Sequence, residues 1–340
     1  MTLVSLLDMP KGEYTRELNR LPYRSEPPAA ANLDIFPPSV RKKREEVLNR
    51  KSAQLPSGRI ARLANAVVFG SGGVLTEDGY LISETIRGTA ERGNAPIKRI
   101  SGPVALLRKP GDSNYGHWLA ECVPRVYEFR AAYPDLEFKF AVPKSPDWMR
   151  KLRLTSLAWA GVSQNEIIWL RNSSTLFEEL FVMSGNSIHS HTHDASGISK
   201  IVEVAEKSQR KGRRLLVRRP GARRRRLVNE DEIVRIAHQN GFIDIWPEQR
   251  SLQEQVEIFS EAELIAGVTG AAMTNILWAS SDCRIACLTS SSHAEFFFWD
   301  LANIRNQEFS YCFGESLNAE LRAHSDFHVD PSLFERWILG

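Results

Sequence analysis

Short apolar runs alternate with amphipathic stretches of helical period along most of this chain, and that alternation restricts its fold more than any other feature. The pattern is most regular in the second half. Leu215, Leu216 and Val217 form a strand-like run. Asn229 then offers a helix cap with Glu232 as reciprocal partner, Ile233, Ile236 and Ala237 supply a buried stripe, and Gly241 supplies a stop. Residues 242–246 read as the next strand. Ser251 and Glu254 make a capping box for a helix that turns Val256 and Phe259 inward. A strand at 264–266, a helix opened by Gly270, Ala271 and Ala272 and running to 279, and a strand at 284–288 complete the series.

The first half repeats the theme less cleanly. Residues 66–69, 73–75 and 80–82 read as short strands between Gly and Asp turns. Strands follow at 104–107, 138–142, 167–170 and 180–183, with helices at 114–133 and 148–160 among them. Pro124 predicts a kink or break in the first of these helices. Residues 198–210 read as a helix and a linker. Strand–helix alternation with short connections means parallel sheets covered on both faces, so the expected fold class is α/β. At 340 residues the chain exceeds what one core usually serves. We therefore expect two Rossmann-like domains facing across a cleft. An N-terminal extension at 1–60, broken by Pro27-Pro28 and Pro37-Pro38, precedes an α/β domain at 61–210 and a second at 211–315. The closing segment, 316–340, carries a helix expected to cross back to the first domain. Ligands in such sheets sit beyond the carboxyl ends of the strands.

Composition removes several functions. The 44 basic residues nearly balance the 41 acidic ones, whereas a dedicated nucleic-acid binder is usually strongly basic. Cys122, Cys283, Cys287 and Cys312 form no CxxC pair, which fits reduced thiols in the cytosol. No apolar run reaches the roughly 18 residues that a membrane span requires. The first residues lack the basic-then-apolar pattern of a secretory signal. The expected location is cytoplasmic, and charge and hydropathy are compatible with peripheral contact at the inner membrane face.

Four segments carry residues suited to chemistry. Asn114-Tyr115-Gly116-His117-Trp118-Leu119-Ala120-Glu121 opens a helix at a strand's carboxyl end. His117 and Glu121, four apart, share a helix face, and a carboxylate beside an imidazole can deprotonate a hydroxyl. The same spacing also serves a pair that only stabilises the turn. A basic run, 210–226, places Arg218 and Arg219 just after the strand at 215–217, where planar guanidiniums suit phosphate. A solvated basic loop or an anionic polymer site are the rival readings, the second weakened by the lack of interleaved aromatics. Residues 267–275 are small and follow a strand, so their backbone N–H groups attract anions, without a GxGxxG or Walker pattern. His189, His191 and His193 alternate, so they share one face of a strand and could hold a metal for a hydrolase.

Taken in order, these segments resemble glycosyltransferase family 61 over roughly residues 65–315. The markers are residues 114–119 followed by Glu121 and Pro124-Arg125, then Arg218-Arg219, Arg225-Arg226-Leu227-Val228-Asn229-Glu230, Gly241-Phe242, Pro247-Glu248, Glu254-Gln255 and Thr269-Gly270-Ala271-Ala272-Met273-Thr274-Asn275. The chain departs from the family pattern in having Glu121 for the usual Asp and Thr269 for the usual His. The resemblance implies a GT-B-like fold of two Rossmann-like domains and sugar transfer with inversion, from a nucleotide sugar to a glycan acceptor in surface-polysaccharide synthesis. It implies neither a resident metal nor any other cofactor, and no nucleic-acid partner; the oligomeric state stays open. Glu121 is the first choice for the base and His117 the second. Arg218 and Arg226, with the N–H groups near Gly270 and Ala271, would hold the leaving diphosphate. Asn114, Asn229, Glu248, Gln255 and Asn275 would make further substrate contacts.

Overall fold

A computed structural model describes residues 2–9, 15–70, 72–86, 98–171, 173–188, 191–203, 212–219, 221, 224–293 and 295–339. The chain is α/β with mixed sheets and divides into two compact units. The first comprises Met1–Leu21, Gln54–Ile188 and Ser196–Ile201, and the second Pro22–Ala53, His189–Ala195 and Val202–Gly340. Residues 1–60, expected as one extension, are thus shared between the two units.

In the first unit the strands run in the order Thr2–Val4, Tyr80–Ile82, Gly73–Leu75, Gly58–Phe69, Thr175–Met183, Lys98–Leu106, Lys139–Pro143 and Ile167–Leu170. The last four are mutually parallel, and the helices Pro124–Ala132 and Asp147–Trp159 connect Lys98–Leu106 to Lys139–Pro143 and Lys139–Pro143 to Ile167–Leu170. The strand Gly58–Phe69 instead pairs antiparallel with both Thr175–Met183 and Gly73–Leu75, which corrects the expectation of a parallel sheet. The reason is local. The turn between Phe69 and Gly73 is too short for a crossover, and Gly70 and Gly72 take the left-handed φ values of 52° and 108° that a reversal there demands. Leu6, Val68, Val74 and Ile82 pack in one core with Val104, Leu106, Ala141 and Leu170.

The helical segment after Lys98–Leu106 is not a plain α-helix. One α-turn, Tyr115–His117, passes into a π-turn, Trp118–Cys122, and only then into the helix Pro124–Ala132. Pro124 has no N–H to give the preceding turn, and the Val123 N–H reaches back five residues to the Trp118 carbonyl, 3.0 Å away. The expected break at Pro124 is therefore taken up as a wider turn containing Glu121.

The second unit has a parallel sheet in the order Phe242–Ile245, Arg213–Val217, Ala262–Val268, Arg284–Ser290 and Glu308–Ser316. In chain order this is the doubly wound arrangement 2-1-3-4-5, whose order reverses between Arg213–Val217 and Ala262–Val268. The helix Glu230–Gln239 ends before Gly241, at φ 78°, and the box of Ser251 and Glu254 caps Leu252–Ser260. The expected helix forms at Ala271–Trp278, with 3-10 geometry. There the Asn275 amide donates to the Ala272 carbonyl (3.0 Å) and competes with α-helical pairing. The closing helix Pro331–Leu339, expected to cross back, buries Phe334 and Ile338 in the second unit's own core with Leu216, Ile233 and Phe327. Among the described residues no helix is long and apolar enough to cross a membrane.

Candidate active site

Two loops in the first unit follow the neighbouring strands Lys98–Leu106 and Thr175–Met183, and they meet at the π-turn. Glu121 is fully buried there and is held from three sides. Lys109 Nζ and His117 Nδ1 reach its Oε2, the latter at 2.7 Å, and Ser187 Oγ donates to its Oε1. Asn186 Nδ2 (2.8 Å) and Arg125 Nε (3.2 Å) donate to the Glu121 carbonyl, which locks the turn. The Glu121 side chain is 1% exposed and that of His117 is 18% exposed. The imidazole, not the carboxylate, faces outward. With its Nδ1–H donated to Glu121, the ring keeps its basic lone pair on Nε2. Of the two, His117 is the group presented outward and Glu121 the buried one that holds it. Asn114 caps the α-turn, its Oδ1 accepting from Gly116 N (2.8 Å) and His117 N (3.4 Å), so it holds the ring's backbone in place.

In the second unit the switch point is marked by Arg219. Its guanidinium donates to the Thr269 carbonyl (2.8 Å) and so straddles the carboxyl ends of Arg213–Val217 and Ala262–Val268. A Cβ on Gly270 would lie 2.8 Å from Arg219 Nε, so glycine there lets the guanidinium lie against the backbone. Burial, and after it the neighbouring Arg225, lowers the Arg219 pKa from its ordinary value. An anion would relieve that strain. Arg219, Gly221, Arg225, Leu227, Glu230 and Val268 line a concave space of about 370 Å³ here. Arg225 is held over it by His293 Nε2 at 3.0 Å.

Several residues chosen from the sequence have other duties. Arg218 pairs with Glu230 (2.9 Å), which itself lines this space, and with Asp244 (2.7 Å). Arg226 lines the same space but makes a largely exposed pair with Asp326 at 2.6 Å. Asn229 does not cap its helix by side chain; it donates to the Val329 carbonyl (2.8 Å) and accepts from the Val329 N–H. Gln255 and Asn275 are buried against each other at 2.8 Å, and Asn275 also accepts from Trp278 Nε1. They tie two helices together. Glu248 is exposed at the carboxyl end of Phe242–Ile245, and Gly270 and Ala271 stand at the mouth beside Arg219.

The basic run is partly neutralised. Arg213 pairs with Glu261 (3.0 Å) and Arg214 with Glu263 (2.9 Å), while residues 210, 211, 220, 222 and 223 lie outside the described residues. His189 also lies outside them. His193 is buried with Nδ1 2.8 Å from Asp300, which also accepts from Tyr23 Oη (2.6 Å) and Arg50 (2.5 Å). Its Nδ1 is thus engaged by a buried carboxylate. Among the described residues no three His, Cys, Asp or Glu side chains are grouped to hold a metal ion.

Lys109, Ser187 and Arg225 are the candidate residues that sequence reasoning left without a role, whereas Arg219 was placed with Arg218 at the strand end as a phosphate group's partner. Arg219 had a legible signal, since it alternates with Arg218 at a strand end. Ser187 had none, being 66 residues from Glu121. A comparison with curated proteins finds no match. A family model described as Glycosyltransferase 61 matches residues 115–286, about half of the chain, beginning at the turn that carries His117 and Glu121 and ending inside the strand after the switch point. By that match the chain belongs to glycosyltransferase family 61 and is a glycosyltransferase.

Proposed function

We propose that this enzyme transfers a hexosyl or pentosyl group from a nucleotide-sugar donor to a glycan hydroxyl with inversion, as a step in surface-polysaccharide synthesis. The observation that carries the reading is the pairing of His117 with a fully buried Glu121 at 2.7 Å at the strands' carboxyl ends. The acceptor oxygen attacks the anomeric carbon as its proton passes to His117 Nε2. Glu121 stabilises the imidazolium that forms, and Lys109 and Ser187 fix the carboxylate. The bond from the anomeric carbon to the phosphate oxygen breaks on the opposite face, which inverts the centre. The departing diphosphate keeps the electron pair, and Arg219 and Arg225 with the N–H groups near Gly270 and Ala271 take up its charge. Glu248 is proposed for a donor hydroxyl. Two guanidiniums supply the positive charge, so the scheme requires no resident metal. The GT-B assignment gives the acceptor to the first unit and the donor to the second. A cytoplasmic location, at or near the inner membrane face, follows from the need for nucleotide sugars.

The test is a thermal-shift screen of the whole protein against nucleotides and nucleotide sugars, with and without divalent metal. A metal-independent rise in Tm with one nucleotide class is expected, by about 2–3 kcal/mol of added stability at 100 Kd. Stabilisation by zinc or manganese alone, with no nucleotide effect, would overturn the reading.

A further inference from the structure

The first unit holds another concave site, of about 350 Å³, that the chemistry above does not use. Its wall is made by the segments following three parallel strands: Arg108 and Asp112 after Lys98–Leu106, Lys144 and Trp148 after Lys139–Pro143, and Arg171 after Ile167–Leu170. Four cationic side chains line it, Arg108, Lys144, Arg153 and Arg171, against one acidic, Asp112. They differ in duty. Arg153 is 1% exposed and forms the floor, donating to the Pro143 carbonyl (2.5 Å) and the Asp112 carbonyl (2.8 Å). Arg108 lies 3.6 Å from Asp112 and is pressed against Gly72, where an added Cβ would fall 1.8 Å from its Nε. Lys144 and Arg171 are exposed at the rim, with no ion pair among the described residues. Trp148 stands beside them with 60% of its surface in solvent, although an indole usually hides most of its area.

An aromatic face with cations around it suits a sugar ring that bears an anionic group: the indole covers the ring's C–H face and guanidinium or ammonium groups take the charge. The pocket's wall is also tied to the Glu121 turn. Arg108 and Lys109 are consecutive, one lining the pocket and the other bonded to Glu121, and Arg125 grips both the Arg108 carbonyl (3.1 Å) and the Glu121 carbonyl (3.2 Å). We propose that this pocket is the acceptor subsite and that it selects a glycan carrying a negatively charged sugar, a proposal that rests on the transferase reading above.

The experiment is calorimetric titration of the whole protein with a galacturonate tetrasaccharide, a neutral galactose tetrasaccharide and a sugar monophosphate, without donor. The same proteins are tested for nucleotide-dependent thermal stabilisation. The acidic tetrasaccharide or the sugar phosphate should bind at least about tenfold tighter than the neutral sugar, and which of the two does so names the anionic group. The double variant Lys144→Gln, Arg171→Gln should erase that preference, and Trp148→Ala should weaken charged and neutral ligands alike. Both variants should keep the nucleotide response. Equal or absent binding of charged and neutral sugars, with the nucleotide response intact, overturns the subsite and leaves the transferase reading standing. A preference that survives in the double variant also overturns it. Loss of nucleotide response in the unaltered protein would strike the transferase reading instead.

Discussion

Replacing Glu121 by glutamine keeps the side chain's shape and removes its charge. The Nδ1–Oε2 contact of 2.7 Å places the charge centres of an imidazolium and the carboxylate about 4 Å apart, where attraction is about 4 kcal/mol at a protein-like dielectric. Lys109 already sits on the same oxygen and offsets part of this, so the loss lies at about 2–4 kcal/mol. In rate that is a fall of about 30- to 900-fold in kcat. The assay is sugar transfer at saturating donor and acceptor, with the donor taken from the thermal-shift screen and each variant's fold checked by its melting curve. His117→Ala should fall at least as far, and the double variant no further than His117→Ala, because the two groups act as one unit. The KM for donor should be unchanged in all three. A Glu121→Gln enzyme within about threefold of the unaltered kcat would refute the role given to its charge. An active His117→Ala beside an inactive Glu121→Gln would make the carboxylate itself the base.

Arg219→Met should weaken nucleotide binding by about 10- to 100-fold and Arg226→Met by less than about threefold, read from the ligand dependence of Tm. Asp300→Asn keeps one acceptor oxygen but loses the charge shared by Arg50 and Tyr23; it should cost about 3 kcal/mol and lower Tm by about 6–12 °C. Gly267→Ala would place a Cβ 2.8 Å from both Met273 Sδ and Val217 Cβ, and should destabilise by about 1–3 kcal/mol in urea melts. The Asp326 carboxyl is held below its ordinary pKa chiefly by its bond from Arg226, so its contribution is present above the unfolded value of about 3.9 and is lost as pH falls through the lower folded value. Asp326→Asn should therefore cost a little stability at neutral pH, small because the pair is largely exposed, and the two proteins should converge as pH falls below about 4.

What the sequence disclosed was local. The Ser251–Glu254 box lies within one turn, and its residues say nearly everything about it. The His117–Glu121 pair was legible for the same reason, since helical spacing puts both on one face. What stayed hidden depended on distant partners or on the direction of a strand. Asn229 has the composition of a cap, yet its amide is claimed by Val329, 100 residues on. Arg218 and Arg219 are alike in sequence, and only the strand's alternation decides which meets carboxylates and which meets the switch point. Which of His117 and Glu121 faces outward is a matter of exposure, which spacing does not encode. The antiparallel half of the first sheet was missed because short apolar runs do not state the direction in which they pair.

The carboxylate of Asp300 has a consequence for how the protein is made. Its partners Arg50 and Tyr23 lie 250 and 277 residues earlier. A ribosome adding about 5–20 residues per second needs roughly 12–50 s to travel from Arg50 to Asp300. The last segments of the first unit, by contrast, end at Ile201, long before Asp300 is made. The first unit can therefore close on the nascent chain while the arm at 22–53 waits for a partner still to be translated. A polypeptide that terminates before residue 300 leaves that arm without its anchor, so incomplete products should be recognisable by an N-terminal segment open to proteases.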